Sequence, residues 1–562
     1  MFDPGASAHA AAKTLVSNAL ASAADKGKLP KTKDINFSVE IPKDAANGDL
    51  ACNVAMVKAK EFRLSPRNIA EILISEICLD SSIFSRVETA GPGFINFYFT
   101  DRYYADSLTG ILNCGAEYGK SDFGGGEKYM VEFVSANPTG PMHLGNARGG
   151  ALGDCLASVL DAAGYEVTRE FYVNDAGSQI EKFAVSLEAR YLELFGAGGE
   201  FPEDGYKGQD IIQRVKEFAD KNGDILVNED SKERKKELVD FALPLNLAQM
   251  KEDLGRYRIE FDVWFLESSL HKNKTVDKII DILRQKNLLY EKDGALWYRA
   301  TDFGSDKDEV LIRKNGFPTY FAVDIAYHYN KFVERGFHTV INIWGADHHG
   351  HVARLKGAMD AIGLDGNRLD IVINQMVNLL QGGEPVRMSK RTGKAITLST
   401  LLEEIPVDAA RFFFNMREPK SHLDFDIELA AKQDSENPVY YVQYAHARIC
   451  SIIKGLEAGG INLKDALKYD FSVLSSGDER ALIKHLTYLP GEITSAAREY
   501  DPAGITRYTV ELAALFHKFY TNCRVKGEDD SIMYPRIALC LAARQVIRNC
   551  FRILKITAPE SM

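Results

Sequence analysis

Val131-Glu-Phe-Val-Ser-Ala-Asn-Pro-Thr-Gly-Pro-Met-His-Leu-Gly-Asn-Ala-Arg-Gly-Gly150 is the stretch that decides the fold. It begins inside a short, largely apolar run, Tyr129-Met-Val-Glu-Phe-Val-Ser, with the pattern of a buried strand in a parallel sheet. A loop rich in proline and glycine follows, then a helix expected from about Ala147 to Ala163 and ended by Gly164. Glu166-Val-Thr-Arg-Glu-Phe-Tyr-Val reads as a second strand. Strand, loop, helix and strand in that order suggest a doubly wound α/β domain. Ligands of such sheets bind beyond the carboxyl ends of the strands, where a helix N-terminus offers free N–H groups to phosphate. Pro138, Gly140 and Pro141 shape the loop, Gly145 lets a planar base or ribose approach the backbone, and His143 can donate to charge developing on a phosphate. Read alone, the stretch is equally compatible with a loop that merely joins strand to helix.

The flanking sequence extends this picture. Upstream lies a mixed unit: a helix over Ala8–Ala24, a strand from Phe37, a helix around Leu50–Phe62, and an apolar strand in Gly91-Pro-Gly-Phe-Ile-Asn-Phe-Tyr-Phe. Downstream the chain turns helical and highly charged, as in Ser231-Lys-Glu-Arg-Lys-Lys-Glu, which predicts a helical insertion at about 180–305. The α/β pattern resumes with Tyr320-Phe-Ala-Val-Asp and Thr339-Val-Ile-Asn-Ile-Trp-Gly, and from Asn437 onward everything reads as helix. The expected fold is a Rossmann-type doubly wound parallel sheet domain at 116–380, an α+β N-terminal domain at 1–115, a connecting stem region at 381–436 and an all-α C-terminal domain at 437–562.

Composition bounds the function. A chain of 562 residues, 45% hydrophobic and 26% charged, is a multidomain globular protein. It has no apolar run long enough to span a membrane, and Met1 to Ala24 lacks the basic leader and apolar core of a secretory signal. The eight cysteines form no CxxC pair, so zinc ribbons and disulfide scaffolds are not signalled and a reducing, cytoplasmic compartment is expected. The net charge of −11 has the wrong sign for coating nucleic acid, but a local basic face suffices for a nucleic-acid partner. From Asn437 there are 16 Lys and Arg against 13 Asp and Glu, and Arg544, Arg548 and Arg552 stack on one helical face.

A second stretch, Gly382-Gly-Glu-Pro-Val-Arg-Met-Ser-Lys-Arg-Thr-Gly-Lys, is a glycine-flanked basic loop suited to wrapping a polyphosphate, although alone it also reads as a solvated loop. The strand–H-L-G-N–helix followed by a late R-M-S-K resembles the paired signatures of class I aminoacyl-tRNA synthetases. V-E-F-x-S-x-N-P, F-Y-V-N-D-A-G and N-P-V-Y-Y-V-Q-Y-A-H-A-R narrow the resemblance to the bacterial-type arginyl-tRNA synthetase family, over the whole chain.

The resemblance implies activation of L-arginine by ATP, with Mg²⁺ accompanying the substrate, and transfer to tRNA(Arg) by a monomer. It further implies that bound tRNA is needed before activation. By resemblance, His143, Asn146, Ser389 and Lys390 carry catalysis. Pro138, Thr139, Gly140, Pro141, Met142, Leu144, Gly145 and Met388 join His143, Asn146 and Lys390 around ATP. Glu132, Ser135, Ala136, Asn137, Tyr320, Asp324 and His348 surround arginine. The first unit, through Asn96 and the loop near it, is expected to meet the tRNA elbow, and Arg544, Arg548 and Met562 the anticodon arm. A guanidinium seeks a planar carboxylate, and a neutral substrate would leave Glu132 and Asp324 uncompensated if both were buried. Gly345-Ala-Asp-His-His-Gly-His offers metal-ligand types, but no second cluster completes a site and no resident metal is expected. The rival readings are a synthetase for cysteine, glutamate or lysine, a small nucleotidyltransferase sharing the H-x-G-H loop, and a catalytically dead tRNA-binding paralogue. The first unit and the absence of zinc cysteines oppose the first, the long basic helical tail the second, and the presence of both His143 and Lys390 the third.

Overall fold

A computed structural model describes residues 1–33, 36–198, 201–386 and 396–562. Arg387, Met388, Ser389, Lys390, Arg391 and Lys394 therefore lie outside the described residues. The central sheet comprises β1 (Lys128–Glu132), β2 (Glu166–Val173), β3 (Val263–Leu266), β4 (Thr339–Gly345) and β5 (Leu369–Asn374). All pairings are parallel and the order is β5-β4-β1-β2-β3, so the winding reverses between β1 and β4. That reversal opens the crevice in which doubly wound sheets bind ligands.

Successive β1 residues serve opposite faces. Met130 joins the apolar layer of Ile279, Val323 and Met359, and Val131 joins that of Leu152 and Leu156. Helix α1 (Leu144–Ala162) covers the second face, and α2 (Tyr320–Tyr329) and α3 (Val352–Ile362) cover the first. The close approach of α1 depends on Gly153, where a Cβ would lie 2.3 Å from Cγ of buried Phe133.

Two expectations change. The stretch at 180–305 is helical over most of its length: Gly177–Leu194, Gln209–Asn222 and Ser231–Arg256 pack around a core of their own, and Glu267–Lys272 and Thr275–Gln285 follow, but it is not wholly helical. It also supplies the edge strand β3 and begins a three-stranded antiparallel sheet of Leu289–Lys292, Ala295–Tyr298 and Glu309–Ile312. Four half-buried edge residues give no period to read. The hairpin does carry a signal, Asp293-Gly294 at φ 55° and 75°. The second change concerns Asn96: the strand Phe94–Phe99 is where the sequence places it, but Asn96 occupies an inner position of the N-terminal four-stranded sheet and not an accessible surface beside the loop. It is 2% exposed, on the face opposite Ile95 and Phe97, in a strand paired on both sides.

The C-terminal unit is a helical bundle whose last helix, Asp530–Leu554, ends against α1. There Arg411, fully buried, donates to the Leu554 carbonyl (2.9 Å) and to Asp154 Oδ2 of α1 (2.6 Å), while Lys555 Nζ reaches Asp154 Oδ1 (2.7 Å). The N-terminal unit docks on the same bundle through Tyr118, whose hydroxyl donates to the Leu486 carbonyl, and through the Lys484–Asp49 ion pair.

Candidate active site

At the carboxyl end of β1 the chain makes a tight turn in which the Ser135 N–H donates to the Phe133 carbonyl (2.9 Å), with Val134 at φ 66° and Ser135 at φ 40°. A β-branched residue in the left-handed region costs about 1–3 kcal/mol and persists only where its surroundings enforce it. The turn sends Ala136, Asn137 and buried Pro138 and Thr139 across the sheet's edge toward α1. Asn246 of the helical insertion donates to the Pro138 carbonyl (2.9 Å) and is itself held by Arg214 (2.8 Å).

Exposed His143 caps α1, which explains why the helix starts before Ala147: the His143 N–H donates to Asn146 Oδ1 (3.0 Å). Asn146 thus spends its side-chain oxygen on capping. The N–H groups of Leu144 and Gly145 have no acceptor within the helix, and a Cβ on Gly145 would meet nothing within 4 Å, so the backbone stands open to a ligand.

Both flanks of the R-M-S-K segment converge on this point. On the far side, His143 bridges Thr397 and the Leu398 N–H donates to the Met142 carbonyl (2.8 Å). On the near side, strand Val377–Gln381 pairs with Glu384–Pro385, and Arg148 of α1 clamps its base by donating to the carbonyls of Gln375 (2.7 Å), Glu418 (3.1 Å) and Ser421 (2.9 Å).

Beside this loop lies a pocket of acids. Tyr320 and Asp324 are one turn apart on α2 and share a face. Burial, then the negative charges of Glu132 and Glu267, push the Asp324 carboxyl up to about 7, against the opposing pull of Arg354 and Lys331. Glu267, at the end of β3, was not anticipated from the sequence. It is 3% exposed, burial pushes it up to about 7, and it accepts a hydrogen bond from the Tyr172 hydroxyl (2.8 Å). Among the described residues, no lysine or arginine nitrogen lies within 4.0 Å of either carboxylate, and the one basic ring that does is His271, with Nε2 3.9 Å from Glu267 Oε1. An acid directly after an apolar strand in a doubly wound sheet is the signal that would have found Glu267, had β3 been recognised.

Glu132 differs from expectation. It is buried but not uncompensated, since Lys331 Nζ donates to Oε2 (2.5 Å) and Ser135 Oγ to Oε1 (3.0 Å). The argument that a neutral substrate would strand two carboxylates therefore applies to Asp324 and Glu267 instead. Tyr320 is 41% exposed with its hydroxyl bonded to Ser178, the Asn137 and Asn174 amides lie 3.3 Å apart, and Asn174 is best oriented with its nitrogen donating to Glu267 Oε2 (3.1 Å). His348 is exposed at the end of β4, with Nε2 3.5 Å from Asp347. The described residues hold no group of three or more His, Cys, Asp or Glu placed to bind a metal.

The arginine stripe on the last helix is largely engaged. Arg552 donates to the Ala116 carbonyl (2.5 Å), and Arg548 to His446 (3.0 Å) and Glu560 (3.2 Å). Met562 lies with Tyr440, Gln443 and Asp408 around a cavity of about 290 Å³.

A parallel sheet with a crevice at its switch point, an H-L-G-N helix start, and a chain that returns to that turn at Thr397 and Leu398 after the R-M-S-K sequence define a class I aminoacyl-tRNA synthetase. Family models agree along the chain: arginyl tRNA synthetase N terminal domain over residues 10–99, tRNA synthetases class I (R) catalytic domain over 107–445, and DALR anticodon binding domain over 442–562. An arginine–tRNA ligase of Caldanaerobacter subterraneus is 55% identical over 98% of both chains, and one of Acetivibrio thermocellus is 52% identical over 98% of both. The solved arginyl-tRNA synthetase of Thermus thermophilus shares the fold, with a TM-score of 0.74 over 98% of this chain and 100% of that one at 22% identity. The chain belongs to the arginyl-tRNA synthetase family.

Proposed function

We propose that this protein performs its family's reaction, the ATP-driven joining of arginine to tRNA(Arg), with Asp324 and Glu267 receiving the cationic groups of arginine. The observation that carries the reading is a buried carboxyl, Glu267, and a half-buried one, Asp324, neither paired with a lysine or arginine among the described residues, beside Tyr320 at the switch-point crevice. An arginine carboxylate oxygen attacks the α-phosphorus of ATP and pyrophosphate leaves. The 3′-terminal ribose hydroxyl of the tRNA then attacks the arginyl carbonyl and AMP leaves. Neither step needs an enzyme nucleophile, so catalysis is positioning and charge stabilisation.

In this reading the adenosine lies along open Gly145, the phosphates meet the N-terminus of α1, and His143 donates to the charge that develops on them. By resemblance Met388, Ser389 and Lys390 hold the triphosphate, and this is supported by Thr397 and Leu398, just beyond them in the chain, meeting the H-L-G-N turn. Mg²⁺ arrives with ATP as the counter-ion of its phosphates. Ser135, Ala136 and Asn137 lie along the substrate backbone, with His348 at the rim. The C-terminal bundle takes the anticodon arm and the N-terminal unit the tRNA elbow. The eight free cysteines suit a cytoplasmic enzyme, and we take it to act as a monomer.

Asp324→Asn tests the assignment, since it keeps the shape and removes the charge. Losing one charge-assisted hydrogen bond costs about 1.5–3 kcal/mol, so KM for arginine should rise roughly 10- to 150-fold while KM for ATP stays near its parent value. If both constants move together, or neither moves, Asp324 does not bind arginine.

A further inference from the structure

Helix α2 does not end cleanly at Tyr329. It runs into a π-helical turn, Asn330–Glu334, and single π turns in α-helices commonly mark functional sites. Here the widened turn delivers two cations beneath the pocket. Lys331, wholly buried, donates to Glu132 Oε2 (2.5 Å) and to Asn342 Oδ1 (3.2 Å), with its ammonium 4.0 Å over the Tyr327 ring. Arg335, which closes the turn, donates to Glu170 Oε2 (2.5 Å). Glu132 and Glu170 are direct register partners on β1 and β2, so without these cations two buried like charges would face each other.

The lysine is held by a satisfied network. His328 Nδ1 lies 2.8 Å from the Asp324 carbonyl, and its Nε2 lies 2.8 Å from Asn342 Nδ2. Burial, then the Lys331 charge, hold His328 well below its usual range, so the ring is neutral. Its Nδ1–H then donates to the carbonyl and its Nε2 accepts from Asn342. That fixes Asn342 with its oxygen toward Lys331. The chain of contacts runs from the backbone of Asp324 to the carboxylate of Glu132.

We propose that Lys331 is a positioning residue of the amino-acid pocket. It is a built-in counter-cation that withdraws Glu132 from the charge the pocket offers and leaves Asp324 and Glu267 as the two negative groups that receive arginine's two cations. This rests on the pocket assignment made above. The groups that face Asp324 are Glu132 from β1, Tyr172 from β2, Glu267 after β3, Arg354 from α3, and Lys331 and His328 from its own helix and the π turn. Removing Lys331 takes a cation from this set and frees an anion, and both changes raise the pH at which Asp324 ionises. Removing the Glu132 charge does the opposite.

The test is the pH profile of arginine binding, by titration calorimetry with bound tRNA, in Lys331→Met, Lys331→Arg, Glu132→Gln, the Lys331→Met/Glu132→Gln double variant and Asp324→Asn. Lys331→Met should move the midpoint of the profile alkaline by about one unit, weakening arginine binding about fivefold at pH 7, with ATP binding unchanged. Lys331→Arg should keep the parent midpoint, Glu132→Gln should move it in the acid direction, and the double variant should return it to the parent value. If Lys331→Met proves unstable, the acid shift of Glu132→Gln and the restored midpoint of the double variant still decide the matter. Unmoved midpoints in all variants overturn the role of Lys331, as does an alkaline shift in the double variant. Asp324→Asn separates the two claims: unchanged arginine affinity there refutes the pocket itself, whereas weakened affinity beside unmoved Lys331 profiles refutes only this inference.

Discussion

Arginine affinity should depend on pH in a way most amino-acid pockets would not show. Asp324 and Glu267 are each held up at about 7 in the free protein. Below that pH they are largely protonated, and a cationic ligand binds only after they shed their protons. Affinity therefore rises as pH rises through 7 and levels off above it. Between pH 7.5 and 5.5 the loss is about 25-fold if one carboxyl must ionise and several hundredfold if both must. The folded free protein also holds more protons than the unfolded chain between the ordinary carboxyl range and 7, so these two groups oppose folding increasingly as pH climbs through that window. Bound arginine cancels the effect, and its thermal stabilisation should grow with pH over the same range. Calorimetric titration with arginine at several pH values, in two buffers of different ionisation enthalpy, measures the affinity and the protons released together. An affinity that is flat from pH 5.5 to 8, with no proton released, would refute the reasoning.

Three further outcomes follow from other contacts. His143→Ala should lower kcat of arginylation about 10²–10³-fold, the usual loss for one transition-state donor, with melting unaffected because the side chain is exposed. Arg411→Met leaves Asp154 buried with Lys555 and more distant Arg169, and should cost about 3 kcal/mol of stability, read as a lower urea midpoint. On the last helix, Arg544 has no hydrogen bond among the described residues, whereas Arg548 is tied to His446 and Glu560. Arg544→Ala should therefore reduce the salt slope of tRNA binding by about one log–log unit and Arg548→Ala by less, and equal effects would contradict that ranking.

What could be read in the sequence, and what could not, follows from the range of the interactions. The β1–loop–α1–β2 unit was legible because its signals are local: an apolar strand, proline and glycine in the loop, and Gly164 after the helix. The H-L-G-N turn and the helical C-terminal unit were legible for the same reason. Glu267 was hidden behind a four-residue edge strand embedded in charged helices. Lys331 looked like any lysine on a helix face, and its partner Glu132 lies 199 residues earlier in the chain. Only the fold brings those two together, and with them the charge balance of the pocket. The strand that holds Asn96 is legible in the sequence, but the burial of Asn96 is not, because it comes from pairing of Phe94–Phe99 with strands on both sides.

The central claim is that two acids at the sheet's switch point, neither paired with a lysine or arginine among the described residues, select arginine. ATP–pyrophosphate exchange with each of the twenty amino acids, in the presence and absence of bulk tRNA, tests it most directly. The account predicts exchange with arginine alone when tRNA is present. Exchange driven by lysine, or by any neutral amino acid at a comparable rate, would contradict it.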